Sequence, residues 1–333
     1  MNNRKHSILK SIGLASAAGV LTLGGLSGCS QQGVSCATAH GPFAVKFTQK
    51  TDTGGVCAGI PGGVYGLATY NAVGAEGRPD LDKASMAIQA EDLGLAFGDA
   101  EVRLFDERDK LLEALETTPD DPELQAALED VEARLESLSD GEMYAKGDFI
   151  TSEPNVLGVC EVPELAPADK TLPVLSVIPE VPEVVDDPAT TDVDESVPAE
   201  PAIPAVPETL YKYEWSDLKF LVSEANQGTR FVGTVRITIN TGALPDDPTT
   251  PDVDESVAAE DCVAEYEAVG LFPAVFCGAE DADGNLVPDD RLCSAAPVAE
   301  AGMVVGSGIS PDFETVCDPD IFYCVLKDKP VVE

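Results

Sequence analysis

Alternation of apolar and polar residues appears first at Phe43–Gln49, where Phe43, Val45 and Phe47 share one parity, the mark of a half-buried strand. Val64–Tyr70 and Ala84–Gln89 give two further strand candidates, separated from the first by the glycines around Gly54 and Gly59–Gly63. Asp99–Leu138 then changes period. Val102, Phe105, Leu112 and Leu115, with Leu104 and Leu111, form the apolar face of a helix begun at Asp99 and stopped at Thr117-Thr118-Pro119. Asp121 caps a second helix with Pro122 at its first position, where a missing N–H costs nothing. Leu124, Leu128, Val131, Leu135 and Leu138 step by 4, 3, 4 and 3, a heptad seam. The pair reads as an antiparallel helical hairpin, packed on its own domain or projecting to meet a partner.

The strongest strand signal comes later. Phe231, Gly233, Val235, Ile237 and Ile239 alternate with polar residues, preceded by the turn Asn226-Gln227-Gly228. Before the turn, Tyr211, Tyr213 and Trp215 share one parity, and Leu218, Phe220 and Val222 take the other. This predicts a bulge near Ser216-Asp217. Cys262–Tyr266 and Val269–Cys277 read as a further pair of strands, with Pro273 favouring an edge. Pro163–Pro207 holds 10 prolines in 45 positions and reads as a linker or long loop. The predicted fold is mainly β, antiparallel and sandwich-like, with an inserted α-helical hairpin and long acidic Pro-rich loops. Its divisions fall at 43–98 (β-rich), 99–140 (hairpin), 141–162 (return to β), 163–209 (acidic linker) and 210–333 (disulfide-bearing β segment).

The N-terminal 42 residues have a different character. Arg4, Lys5 and Lys10 precede an apolar run, Ile12–Leu26, too short and Gly-rich for a membrane-spanning helix but apt for a signal peptide. It ends in Leu26-Ser27-Gly28-Cys29, which resembles the lipobox of bacterial lipoproteins. The resemblance implies cleavage after residue 28, acylation of Cys29, and a tether over 29–42. More than one acyl chain is needed for a stable hold on a membrane. Ser30 in place of Asp, by resemblance to Gram-negative lipoproteins, implies the outer membrane. The lipobox and the segment Ser307–Phe313 with Cys317 and Cys324 resemble cysteine-bearing lipoproteins of myxobacterial type, a likeness that brings no activity or site residues with it.

Composition narrows function. The net charge is −40, with 60 acidic residues against 20 basic. Such a surface repels polyanions, so nucleic acid is not an expected partner. Only His6 and His40 are present, so the mature chain would retain one histidine, too few for a His-based zinc site or for more than one histidine-dependent nucleophile. Eight cysteines remain besides Cys29: Cys36, Cys57, Cys160, Cys262, Cys277, Cys293, Cys317 and Cys324. An even number in an exported chain predicts disulfides. Local spacing suggests Cys36–Cys57 and Cys317–Cys324, then Cys277–Cys293 with Cys160–Cys262.

One duplication stands out. Asp186–Glu200 and Asp246–Glu260 match at 12 of 15 positions. The two stretches flank a predicted hairpin, so Asp192, Asp194 and Glu195 could approach Asp252, Asp254 and Glu255 and hold calcium, which takes 6–8 oxygen ligands. Solvated acidic spacers are the alternative. Asp281-Ala282-Asp283-Gly284-Asn285 is a partial calcium-loop pattern that also reads as a turn. The leading functional expectation is a non-enzymatic structural or interaction module, anchored in the outer membrane by lipid and meeting envelope proteins through the helical hairpin, with no cofactor required. A calcium-dependent binding module comes second, and a carboxylate-based hydrolase third.

Overall fold

The computed structural model describes residues 34–51, 54–178, 203–244 and 258–331. The acids 192, 194, 195, 252, 254 and 255, and Cys29, lie outside them. β1 (Gly41–Gln49), β2 (Gly62–Val73) and β3 (Pro79–Ala90) form an antiparallel meander. The chain continues through α1 (Glu91–Thr117), α2 (Pro122–Ser137), β4 (Ala145–Asp148), β5 (Val159–Glu164), β6 (Ala168–Leu172), β7 (Thr209–Val222), β8 (Gln227–Thr241) and β9 (Glu260–Leu271). These strands make one antiparallel sheet in the order β4-β3-β2-β1-β9-β8-β7-β5, with β6 extending the line of β5 along β7.

The sandwich-like packing comes from one sheet curled on itself. Backbone bonds join Lys146 to Ala166 in both directions, Ile150 N–H to Glu161, and Glu142 to Asp169 in both directions. The free side of the β4 region thereby meets β5 and β6, and the sheet nearly closes. Its interior is filled by aromatics: Phe43, Phe47, Tyr65, Phe149, Tyr213, Trp215, Phe220, Phe231 and Tyr266 are all buried. Trp215 sits between Tyr65, edge-on at 5.4 Å, and Phe231 at 6.2 Å. Two glycines make room for core side chains, one of them aromatic. A Cβ on Gly270 would lie 2.1 Å from the Phe231 ring, and one on Gly233 would lie 2.4 Å from Leu218 Cδ2. Outward positions carry Lys212, Glu214, Arg236 and Glu265, and the ion pair Lys212–Glu214 spans 3.1 Å. That is the reverse of the apolar outer band of a barrel in lipid.

The parity change in β7 is where the pattern put it. Tyr213 and Trp215 point inward, the register shifts between Ser216 and Lys219, and Leu218, Phe220 and Val222 then point inward. Asp217 takes the left-handed conformation at φ 53°. Other expectations need correction. Cys262–Cys277 is not two strands: β9 runs unbroken from Glu260 to Leu271, inside the sheet between β8 and β1, and Pro273 follows its end. The 163–209 stretch is not all linker: β6 and the end of β5 lie in it, with Pro163 opposite the β7 bulge, where no ladder bond is needed. α1 begins at Glu91, so Asp99 lies inside the helix and caps nothing.

Residues 274–331 form an appendage on the outer side of β1 and β9. It holds two small ribbons, β10 (Gly278–Glu280) with β11 (Leu286–Pro288) and β12 (Thr315–Cys317) with β13 (Cys324–Leu326). Ion pairs Lys46–Asp318 (2.7 Å) and Lys329–Glu267 (2.6 Å) fasten it. So does Arg230 stacked 4.4 Å over Phe313.

Candidate functional site

The eight cysteines form Cys36–Cys160, Cys57–Cys262, Cys277–Cys317 and Cys293–Cys324. All four pairings suggested by local spacing are overturned, because the fold sets residues far apart in sequence side by side. The first two disulfides span 124 and 205 residues and pin the segment before β1 to β5 and the β1–β2 turn to β9. The other two span 40 and 31 and lock the appendage.

The helices are built around two unlike faces. Asp121 caps α2 by accepting from the N–H of Glu123 (2.9 Å) and Leu124 (3.4 Å), with Pro122 inside the first turn. Val131 and Leu104 are buried, and Ala100, Leu104 and Leu138 pack with Leu172 and Leu175 just past β6. On the other face of α1, Leu95, Val102, Phe105 and Leu112 are exposed. Their spacing of 7, 3 and 7 confines them to about a third of the helix circumference. This stripe is apolar, solvated, and rimmed by the acidic side chains of the helix. Arg108 covers part of it, 4.8 Å above the Phe105 ring.

Three cations, two of them buried, hold the hairpin to the barrel and to the ribbon beside it. Arg103 Nη2 donates to Ser176 O (2.6 Å) and Pro204 O (3.0 Å). Those carbonyls belong to the two arms of a short ribbon bridged at Leu175–Val206 and Ile178–Ile203, the stem of the first acidic loop. Arg134 reaches Val174 O (3.1 Å) and Glu107 (2.8 Å). Lys170 of β6 donates to the carbonyls of Leu138 and Asp140, satisfying the C-terminus of α2, and lies 5.2 Å from the centre of Phe97. Burial lowers the Lys170 ammonium pKa, and Asp140 and Glu142 oppose that shift. Neither Arg103 nor Lys170 was singled out above. Lys170 was within reach, since it shares strand parity with Ala168 and Leu172.

Where α1 leaves the barrel, Tyr213 Oη donates to Asp92 Oδ2 at 3.1 Å. Burial raises the pKa of the Tyr213 phenol first, and the neighbouring Tyr65 and Asp92 raise it further; Tyr65 is raised likewise by burial. Tyr65, Tyr213, Tyr323, Asp92 and Ile60 line a cavity of about 220 Å³ here, below the span of roughly 300–1,000 Å³ typical of small-molecule sites. The carboxylates of Asp281 and Asp289 are held below their usual range by hydrogen bonds, first from Asn285 and from Arg291 respectively. A general acid needs the opposite shift. The 281–285 segment is a turn, with Asp281 Oδ1 accepting from the N–H of Asp283 (2.9 Å) and Asn285 (2.8 Å). His40, in a surface turn, accepts from Thr69 N–H at 3.1 Å.

A family model described as MlpA matches residues 41–244. The chain belongs to the MlpA family. The MlpA match opens on the first residue of β1 and ends just past β8, so it takes in both helices and the stem of the acidic loop. β9 and the appendage lie beyond it. No curated protein and no solved structure matches the chain.

Proposed function

We propose that this MlpA-family protein is a lipid-anchored, non-enzymatic interaction module of the cell envelope, acylated at Cys29 and held at the outer membrane. The exposed stripe of α1 carries the interaction reading. Leu95, Val102, Phe105 and Leu112 hold an apolar face in water on a helix whose opposite face is fully used. Contiguous apolar surface of this kind marks contact sites. The acidic rim suits a partner with basic residues beside an apolar strip. The anchor reading is supported by the lipobox, by the MlpA family match, and by the charged outer face of the barrel, which leaves a lipid chain as the means of attachment. Among the described residues no helix is long and apolar enough to cross a membrane.

Two variants test this. Cys29→Ala should release the protein from membranes; a mature protein whose mass shows no lipid on Cys29 would overturn the anchor. Cross-linking in intact envelopes should capture a protein through α1, and Val102→Ser with Leu112→Ser should abolish that product. A product unchanged by these substitutions would overturn the interaction reading.

A further inference from the structure

Residues 36–39 cross one end of the barrel. Cys36 is bonded to Cys160, and its N–H donates to Ser152 O at 2.8 Å. Thr38 N–H donates to Thr69 Oγ1 at 2.8 Å, and Ala39 N–H donates to Gly228 O at 3.0 Å. The chain therefore enters the fold beside the 149–158 loop that links β4 to β5. That loop is tightly closed. Asn155 Oδ1 accepts from the N–H of Leu157 (2.9 Å) and Val159 (3.0 Å), and Asn155 N–H donates to Val159 O (3.0 Å). This ordered turn presents its apolar residues to solvent: Val156 is 102% exposed, and Ile150 and Leu157 are each 60% exposed. Glu153 is the one ionised side chain between 149 and 158, in a chain of net charge −40.

We propose that this end of the barrel lies against the lipid bilayer, with Ile150, Val156 and Leu157 in its interfacial layer. The inference rests on acylation of Cys29. From Cys29 to Val34, where the described chain begins, five residue steps span at most about 18 Å when extended. The acyl chains therefore hold the 149–158 loop close to the headgroups. The low charge of the loop spares it the repulsion that the rest of the surface would meet. α1 starts beside Gly41 and Pro42, but from Ala100 onward it packs at the other end, against Leu172 and Leu175 at the end of β6, whereas Cys160 lies at the start of β5. The contact orients the module and sets the outer part of the α1 stripe, Val102 to Leu112, away from its own membrane.

Brominated-lipid quenching of tryptophan emission tests the proposal on the acylated full-length protein in phosphatidylethanolamine–phosphatidylcholine vesicles. Trp215 is the single native tryptophan and is buried, so it supplies a constant background. Emission added by Leu157→Trp should fall about two-fold or more on bromination, as for a side chain 5–10 Å deep at the interface. Emission added by Leu112→Trp should not change. Absent quenching at 157, in protein whose mass shows acylated Cys29, overturns the docking and leaves the anchor standing. Quenching at 112 overturns the orientation. Protein that carries no lipid and does not float with the vesicles overturns both.

Discussion

The barrel and the helical hairpin are held by different chemistry. Inside the barrel nine aromatic side chains touch in a continuous cluster, and two disulfides of long span pin flanking segments to its wall. The hairpin has a thin apolar seam at Ala100, Leu104 and Leu138, and it relies on Arg103, Arg134 and Lys170 for the rest of its hold. Apolar packing is cooperative and unspecific in direction, so the barrel behaves as a unit. Charge-assisted bonds to backbone carbonyls fix an angle with little buried area. The result is a rigid platform with an arm set at a defined orientation.

The contrast predicts a graded set of losses. The largest should follow Trp215→Ala, which empties the centre of the aromatic cluster at a cost of about 3–5 kcal/mol. Barrel and helix signals should then melt together; a melt in which the helices survive would break the claim that the barrel is the platform. Replacing Cys36 and Cys160 together by Ala should cost about 2–5 kcal/mol, since the closed loop of 124 residues is long. Denaturant midpoints with and without the pair provide the check.

Lys170→Met should act on one side of the comparison only. It leaves the carbonyls of Leu138 and Asp140 without their donor, at about 1–3 kcal/mol. Amide exchange should quicken in the hairpin and stay slow in β7–β9. Equal quickening in both would show that the two regions are not separable.

Alkali should act on both. Burial raises the pKa of the phenols Tyr65, Tyr211 and Tyr213 above the unfolded value near 10. The stability linked to them is complete below that value and is lost as pH climbs towards the raised folded values. The phenolate absorbance due to Tyr65, Tyr211 and Tyr213 should appear only together with unfolding, above about pH 10; titration of all phenols in a folded protein would contradict their burial. The smallest expected effect is that of Val102→Ser with Leu112→Ser, within about 0.5 kcal/mol per site on stability, with loss of the proposed cross-linked product as the only other change.

Much of the barrel was legible in the sequence because a strand with one wet face writes its period directly. The parity change between Trp215 and Leu218 even located a bulge. β9 was broken in two at Glu267-Ala268 because its next inward positions, Ala268 and Gly270, are small and the apolar parity passes to Val269 and Leu271; the reason Gly270 is glycine, the Phe231 ring, is more than 30 positions away in sequence. The start of α1 was missed because Gly94 and Gly98 dilute the helical signal and Ala90 supplies no side-chain cap. Disulfide partners were misjudged for a related reason: nearness along the chain says little once a sheet curls and sets its first and last strands together. Of the candidate site, the exposed stripe residues Val102, Phe105 and Leu112 were on the predicted helix face, but only packing shows that a different face is buried. Arg103 and Lys170 depend on carbonyls supplied by other elements, which no local pattern reveals.

The link between Cys36 and Cys160 also sets the path of mechanical load. Tension applied from the N-terminal side reaches the covalent bridge before it reaches β1. It passes into β5, which lies between β7 and the β4 region, and spreads across the barrel wall. The hydrogen-bonded ladders of β1 with β2 and β9 are thereby shielded from being peeled one bond at a time. Pulled from that side, the fold keeps β1 in register as long as that one sulfur–sulfur bond stays oxidised.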